Sequence, residues 1–238
     1  MQRLSFRYAA EWIAKFPKGD VVDIPLIEHA TMKLATQAGI RTSETVAHKI
    51  GVGHVLLVKR FDRAGAQRIH ALSAQSMLAQ STRVSYAGMA EVLRAKASPD
   101  IMNERRREVF ARFAFNVLMD NTDDHEKNHA FVRLSDEYWD LSLAYDLLPQ
   151  MNGTGVQGLP VGRKNGKTPL LSAIANHAEF GLSKDEAEKT WLHVATVVNS
   201  WREVFSSLGV SDRDIDYLTQ FIDSQEKLAL RKRPSSAS

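Results

Sequence analysis

A dense run of polar side chains, Asn121 to His129, follows a predicted buried helix and precedes a predicted strand. An apolar element that leads into such a loop usually places it at the mouth of a core, where chemistry or metal binding can occur. Asp146 stands alone 18 residues after Asn128, at the end of a second predicted strand. These are the positions where reactive side chains would meet.

The order of these residues fits phosphoryl transfer. That reaction needs a carboxylate to orient the attacking hydroxyl and two oxygen ligands to hold Mg²⁺ against nucleotide phosphates. Asp123, then Asn128 five residues later, then Asp146 reproduce the order of the catalytic Asp, the metal Asn and the metal Asp of protein kinases. The pattern therefore indicates a nucleotide-dependent phosphoryl transfer site.

A cation for the phosphates is available earlier in the chain. Lys15 lies near the end of a predicted strand over Glu11 to Phe16, and Glu28 lies on the predicted helix that follows. This is the chain order of the lysine and its carboxylate partner in the small lobe of kinases. A lysine at a strand end is usually only solvated, so the interpretation depends on the whole ordered set.

The same loop also matches a metalloprotease motif. His125, Glu126 and His129 give the pattern H-E-x-x-H, in which two histidines on one helical face bind Zn²⁺ and the glutamate activates water. The polar residues before the motif favour a loop, and a following strand would hold the histidines too far apart to chelate one ion. No extension of the motif supplies a third ligand, so we prefer phosphoryl transfer.

Composition restricts the class of protein. Of the 238 residues, 44% are hydrophobic and 25% charged, which are ordinary values for a globular chain and exclude a disordered or collagen-like one. The absence of cysteine excludes disulfides, thiolate zinc sites and a cysteine nucleophile. Charges interrupt the N-terminus and no 18 apolar residues run together, so we expect a cytoplasmic protein with no membrane association.

The elements that would carry Lys15 form a small sheet with one helix. Pro25 suits the first turn of a helix that Gly39 would end. Two apolar runs, Thr45–Ile50 and His54–Arg60, have the pattern of an antiparallel hairpin. We therefore predict a small α+β lobe over residues 1–80.

Helices dominate the prediction for the larger lobe, over residues 81–230. Ser85 is expected to cap a helix that runs to Lys96, and a stripe of apolar residues from Phe110 to Leu118 is predicted core. The remaining predicted elements are two strands at His129–Leu134 and Tyr138–Leu143, a Gly-rich loop between Gly153 and Gly166, one helix from Ser183 to Leu208, and a last helix from Asp212 to Leu230. Residues 231–238 are predicted to be a solvated, flexible basic tail.

Four blocks of this sequence resemble the HipA-like family of bacterial serine/threonine kinases, the toxins of type II toxin–antitoxin systems. The blocks are Ala14–Pro17, Val58–Arg63, Asp123–Asn128 and Leu143–Pro149. They occur in the family's order and spacing, over a stretch from residue 10 to about residue 225. The resemblance implies an α+β, bilobed protein-kinase-like fold with a small, truncated N-lobe and a mainly helical C-lobe.

The resemblance also implies the cofactors ATP and Mg²⁺ and a role for each site residue. Asp123 would be the catalytic aspartate, Asn128 and Asp146 the magnesium ligands, and Lys15 the cation on the phosphates. The other implied nucleotide-binding residues are the hinge Lys59, Arg60 and Phe61, the loop residues His125, Glu126 and Lys127, and Tyr145.

The family also implies partners. The substrate would be a protein, such as an aminoacyl-tRNA synthetase, whose phosphorylation inhibits translation. An antitoxin of the helix-turn-helix type would bind the chain and provide its only link to DNA.

Two departures from the family pattern matter. Lys59 stands where the family often has Glu, but a hinge recognises adenine largely through backbone groups. Met1 to Ala10 contains no glycine, so the family's Gly-rich phosphate loop is missing there, and a separate subunit, a truncated gene or a cut chain would explain this. The alternative to an active kinase is a truncated or pseudokinase fragment that binds nucleotide or an antitoxin without turnover.

Overall fold

The computed structural model of the chain describes residues 11–65, 67–79, 84–151, 157–162 and 169–232. The predictions for Met1–Ala10, for most of the Gly-rich loop, for the lobe boundary at residues 80–81 and for the tail beyond residue 232 lie outside the described residues. No helix within the described ranges has the length and apolar character needed to cross a bilayer.

The N-terminal region is an antiparallel sheet with one helix against it. Its strands β1 (Trp12–Lys15), β2 (Thr45–Ile50) and β3 (Gly53–Lys59) have the order β1–β3–β2. Helix α1 (Ile24–Gln37) packs against β3 and β2, with Pro25 in its first turn. Gly39 follows the helix in the left-handed conformation that glycine adopts without strain, at φ 79°. The predicted strand, helix and hairpin are confirmed.

A short hairpin and a second small sheet follow. Strands β4 (Arg63–Ala64) and β5 (Gln67–Arg68) pair with each other. The second sheet has the order β6–β7–β8, with β6 at Ala71–Ser73, β7 at Ala130–Arg133 and β8 at Trp139–Leu141, and helix α2 (Ala74–Met77) directly follows β6. Strand β6, which falls in the predicted first lobe, therefore pairs with the strand that follows the polar loop.

Three long helices form the centre of the C-terminal region. Helix α4 (Pro99–Leu118) packs against α3 (Tyr86–Lys96) and α6 (Lys184–Val198). Ser85 caps α3, because its Oγ accepts a hydrogen bond from the Gly88 amide at 3.0 Å. The predicted apolar stripe of α4 is fully buried, so its last turn delivers the polar loop directly from the core.

The C-terminal part is more finely divided than the sequence predicts. Helix α5 (Pro169–Ala175) and a 3₁₀ turn at His177–Phe180 precede α6, which is followed by α7 (Trp201–Ser207), α8 (Asp212–Ile222) and α9 (Gln225–Leu230). The two long helices predicted here are therefore wrong. The first breaks where the Ser200 hydroxyl donates to the Val197 carbonyl at 2.8 Å, and the second where Ser224 caps α9.

The prediction of a solvated tail is wrong for Arg231. This side chain is buried, and its guanidinium donates to the Asp223 carboxylate at 2.7 Å and to the carbonyls of Leu118 and Ile222. Lys227 is buried beside it and donates to the Val117 carbonyl at 2.9 Å. Lys227 of α9 and Arg231 directly after it thus bind the carbonyl end of α4, where the helix dipole favours positive charge.

A charged cluster joins the segment after α1 to the C-terminal region. Arg41 donates to Glu108 on α4 at 2.6 Å and to Asp140 on β8 at 3.1 Å. Arg112 donates to Glu108 and to the Ser142 carbonyl, each at 2.5 Å. Because β8 leads into the segment that carries Asp146, this cluster fixes Asp146 relative to α1.

Candidate active site

Lys15 lies between two carboxylates that come from distant parts of the chain. Its Nζ is 2.6 Å from Glu28 Oε1 on α1 and 2.6 Å from Asp146 Oδ1 after β8. Burial alone would lower the pKa of Lys15, but the two carboxylates outweigh it and raise the pKa above its usual value. The ammonium group therefore stays charged at neutral pH, as a phosphate-binding lysine must.

The backbone presents Asp146 in a strained conformation. Its φ is 57°, in the left-handed region that aspartate tolerates better than most residues because its short side chain can hydrogen-bond locally. Ala144, two residues before Asp146, forms a parallel bridge with Thr42, and its carbonyl accepts from the Ser43 amide at 2.9 Å. The segment after α1 thus sets the position of Asp146.

Two cavities meet at this ion pair. One, of about 860 Å³, is lined by residues of β1, of the turn after it and of α1, together with Leu148 and Gln150. The other, of about 410 Å³, is lined by residues of β1 and of the segment after β3. Both include Lys15 and Asp146 in their walls. Cavities of this size accept a nucleotide-sized ligand.

The smaller cavity has aromatic walls. The rings of Phe61 and Tyr145 are stacked, with centroids 5.2 Å apart and an interplanar angle of 24°. The Tyr145 hydroxyl donates to the Lys127 carbonyl at 2.7 Å, and burial raises the pKa of Tyr145 to about 12. Flat apolar surfaces with few polar groups suit a planar base.

The predicted hinge residues lie along this cavity. The amides of Lys59 and Arg60 donate to the Glu44 and Glu11 carbonyls at 2.8 and 2.7 Å. Within the described ranges, the Phe61 amide has no such backbone partner. The Lys59 side chain points elsewhere, since its Nζ lies 3.3 Å from a Glu44 carboxylate oxygen, so the Glu-to-Lys departure at this position leaves the backbone groups of the hinge in place.

The predicted catalytic loop is a turn attached to this site. Asp123 is exposed, and Asn128 is buried with its amide donating to the His125 carbonyl at 2.9 Å. Neither residue lines the two cavities. The loop is nevertheless joined to this site, because the hydroxyl of Tyr145, which directly precedes Asp146, donates to the Lys127 carbonyl. The catalytic role of Asp123 and the metal role of Asn128 stay predictions.

The remaining loop residues make local contacts. The Glu126 carbonyl accepts from the Gln75 amide at 3.3 Å, and His125 Nδ1 accepts from the Lys127 amide at 3.3 Å. Their predicted contact with nucleotide stays a prediction. The segment His125–His129 is not helical, so the two histidines lack the spacing that the zinc motif requires. Among the described residues, no three His, Cys, Asp or Glu side chains converge on a metal site.

Sequence reasoning missed the buried partners of the loop. Asp124 accepts hydrogen bonds from His129 at 3.0 Å and from the Tyr86 hydroxyl on α3. Burial alone would raise the pKa of Asp124, but His129 and these hydrogen bonds outweigh it and lower the pKa. No local signal in the sequence could have found these contacts, because Asp124 and His129 lie within a polar run and Tyr86 stands 38 positions before Asp124.

Comparisons with known proteins agree on the fold. HipA from the toxin–antitoxin system of Shewanella oneidensis MR-1, solved in complex with HipB and its operator DNA, is 20% identical, with a TM-score of 0.73. The match covers 94% of this chain and 58% of that one, so the chain spans well under two thirds of HipA. The Helicobacter pylori proinflammatory kinase CtkA is 13% identical, with a TM-score of 0.60, over 95% of this chain and 89% of that one.

Sequence comparisons identify the family. No match is found among curated protein sequences. The model of the HipA-like C-terminal domain matches residues 5–201, which include all four sequence blocks and every predicted site residue. The α+β, kinase-like fold is that of these relatives, and the chain belongs to the HipA-like C-terminal domain family.

Proposed function

We propose that this chain is the catalytic part of a HipA-type protein serine/threonine kinase that uses ATP and Mg²⁺. The observation that carries the proposal is the contact of Lys15 with both Glu28 and Asp146 at the junction of two cavities. Protein kinases need a lysine paired with a helix carboxylate and a metal-binding aspartate next to it. The chain brings Lys15 into contact with Glu28, 13 residues away in the sequence, and with Asp146, 131 residues away.

The site residues divide the work of binding and transfer. The space beside Phe61 and Tyr145 takes adenine, and Lys15 binds the phosphates. Oxygen atoms of Asn128 and Asp146 fit Mg²⁺, which binds proteins through one or two such ligands and takes the rest from phosphates and water. Bound there, the ion neutralises phosphate charge. Asp123 orients the substrate hydroxyl and accepts its proton.

A further strand on β1 is part of the proposal. Within the described residues β1 pairs only with β3, so its other edge has free backbone groups. Catalysis on the γ-phosphate needs donors that cover it, and the loss of one such donor can cost about a hundredfold in rate. We propose that a strand with a Gly-rich loop, from another segment or another subunit, pairs with this edge.

The biological role follows from the family. HipA of S. oneidensis was solved with HipB and operator DNA, which supports an antitoxin as a partner of this chain and DNA contact through it. We propose a cytoplasmic toxin that phosphorylates a translation component such as an aminoacyl-tRNA synthetase.

Transfer of labelled γ-phosphate tests the proposal. Asp123→Ala should abolish transfer and leave ATP affinity unchanged, because this carboxylate addresses the substrate hydroxyl and not the nucleotide. An upstream Gly-rich segment, added as a second polypeptide, should raise the rate by orders of magnitude. Transfer that survives Asp123→Ala would refute the assignment, and ATP binding without any transfer would favour a pseudokinase.

A further inference from the structure

A buried polar cluster holds the loop that carries Asp123 and Asn128. Asp124 Oδ2 accepts hydrogen bonds from His129 Nε2, at 3.0 Å, and from the Tyr86 hydroxyl. The three side chains, called here the loop clamp, are 1%, 2% and 0% exposed. They lie on the core side of the loop, while Asp123 faces solvent.

The loop clamp acts on the two residues that chemistry needs. Asp124 directly follows Asp123, and His129 directly follows Asn128. The hydrogen bond between Asp124 and His129 therefore joins the two ends of the loop on its buried side. The Asn128 backbone amide also donates to the His125 carbonyl, which forms a turn inside the loop. Closure at both ends sets the separation between the Asp123 and Asn128 backbones.

The loop clamp is anchored on rigid elements. The Tyr86 hydroxyl accepts a hydrogen bond from Asn116 Nδ2 on α4 at 2.9 Å, and Asn116 Oδ1 accepts one from Asn121 at 3.1 Å. The Tyr86 ring packs edge-on against Phe113 and His129, with centroids 5.1 and 5.3 Å apart. Both ends of the loop are thus tied to α3 and α4, and sites on such elements hold their geometry best.

Packing alone does not explain these residue types. Asp124 Oδ1 and His129 Nδ1 are buried and have no hydrogen-bond partner among the residues that the structure describes. An incompletely paired carboxylate is costly in the core, and apolar side chains of similar volume usually serve stability as well or better. This loss of stability is explained if the polar side chains are kept because they fix the geometry of the loop.

We propose that Asp124, His129 and Tyr86 are positioning residues for phosphoryl transfer, which fix Asp123 and Asn128 at the spacing that transfer requires. This inference rests on the proposed kinase function. Misplacement of reacting groups by about 1 Å can cost about a hundredfold in rate. The loop clamp should therefore affect the rate of transfer and not the affinity for ATP, whose cavities do not include its residues.

Two variants and a rescue test the proposal by kinetics. Tyr86→Phe removes one hydroxyl, and His129→Leu removes the donor to Asp124. We expect kcat to fall about tenfold or more in each, with the ATP dissociation constant within about twofold of wild type. His129→Gln, which keeps an amide donor, should recover part of the loss, and Tyr138→Phe on the exposed β7–β8 turn should change nothing. Equal kcat in all variants, or a Gln variant no better than Leu, would overturn the proposal.

Hydrogen exchange of the Asn128 amide separates this proposal from the kinase function. In Tyr86→Phe and His129→Leu we expect faster exchange at Asn128, with the amides of α3 and α4 unchanged, because only the loop is released. Unchanged exchange at Asn128 would refute the loop clamp even in an active kinase. Faster exchange in a chain that binds ATP but never transfers phosphate would support the clamp and refute the function.

Discussion

Gly158 lies where the loop that carries Asp123 leaves no room for a side chain. Its amide donates to the Thr122 carbonyl at 3.2 Å. A Cβ atom on Gly158 would lie 2.7 Å from the Asp124 carbonyl oxygen and 3.3 Å from that of Thr122. Both obstacles are backbone atoms on either side of Asp123, so no side-chain rotation relieves the clash. The change Gly158→Ala must therefore move one of the two segments.

We expect Gly158→Ala to destabilise the protein and to impair transfer more than binding. Overpacking of this kind costs about 1–3 kcal/mol. For a chain of this length that lowers the melting temperature by roughly 2–12 °C. Displacement of Asp123 should reduce kcat by about ten- to a hundredfold, while ATP affinity is kept because Gly158 lines neither cavity.

Thermal unfolding followed by circular dichroism, together with labelled-phosphate transfer, measures both effects. Gly53→Ala is the matched control, since its added Cβ meets only Asp23 Oδ2, at 3.9 Å, an ordinary contact. We expect that control to change stability by no more than about 0.5 kcal/mol. A Gly158→Ala protein with the melting temperature and kcat of the control would show that the two segments are not in contact.

Other parts of the structure give three further predictions. Lys227→Met should cost about 3–5 kcal/mol in urea unfolding, because it leaves the buried Asp120 carboxylate, 3.0 Å from Nζ, without its partner; the exposed Lys189→Met should cost under about 0.5 kcal/mol. Although burial opposes it, hydrogen bonds from Arg202 and Arg231 lower the pKa of Asp223 from 3.8. The stability that Asp223 adds is thus fully present above pH 3.8 and lost as pH falls through its folded pKa. The free energy of unfolding of wild type should exceed that of Asp223→Asn by a constant amount at neutral pH and by a shrinking amount in acid. A constant difference down to pH 2 would contradict this. Elemental analysis should find no stoichiometric zinc, and zinc lost on His129→Ala would restore the metalloprotease alternative.

Local sequence patterns predicted most of the elements that position Lys15 and Asp146. The first strand, the helix with Pro25 near its start and the hairpin after it depend on neighbouring residues, and the structure has all three. Chain order also predicted the pairing of Lys15 with Glu28, which the structure confirms. These features can be predicted from the sequence because each depends on periodicity, on capping residues or on the fixed order of residues in a kinase-like chain.

Features that depend on particular side-chain contacts were not predictable. The α6–α7 and α8–α9 breaks occur where polar side chains compete with the helix, and the Asp223 carboxylate at the second break also binds Arg202 and Arg231. The charged cluster of Arg41 joins residues about 100 positions apart. The loop clamp likewise needs α3 beside the loop, and nothing around Tyr86 in the sequence reveals Asp124 as its partner.

Calorimetric titration of ATP with and without Mg²⁺ tests the central claim most directly. If Asp146 holds the metal beside Lys15, ATP should bind wild type much more tightly with Mg²⁺ than without it. Asp146→Ala should remove that difference in ATP affinity, because the variant lacks the carboxylate that would hold Mg²⁺ against the phosphates. Equal ATP affinity in wild type with and without Mg²⁺ would contradict the assignment of this site.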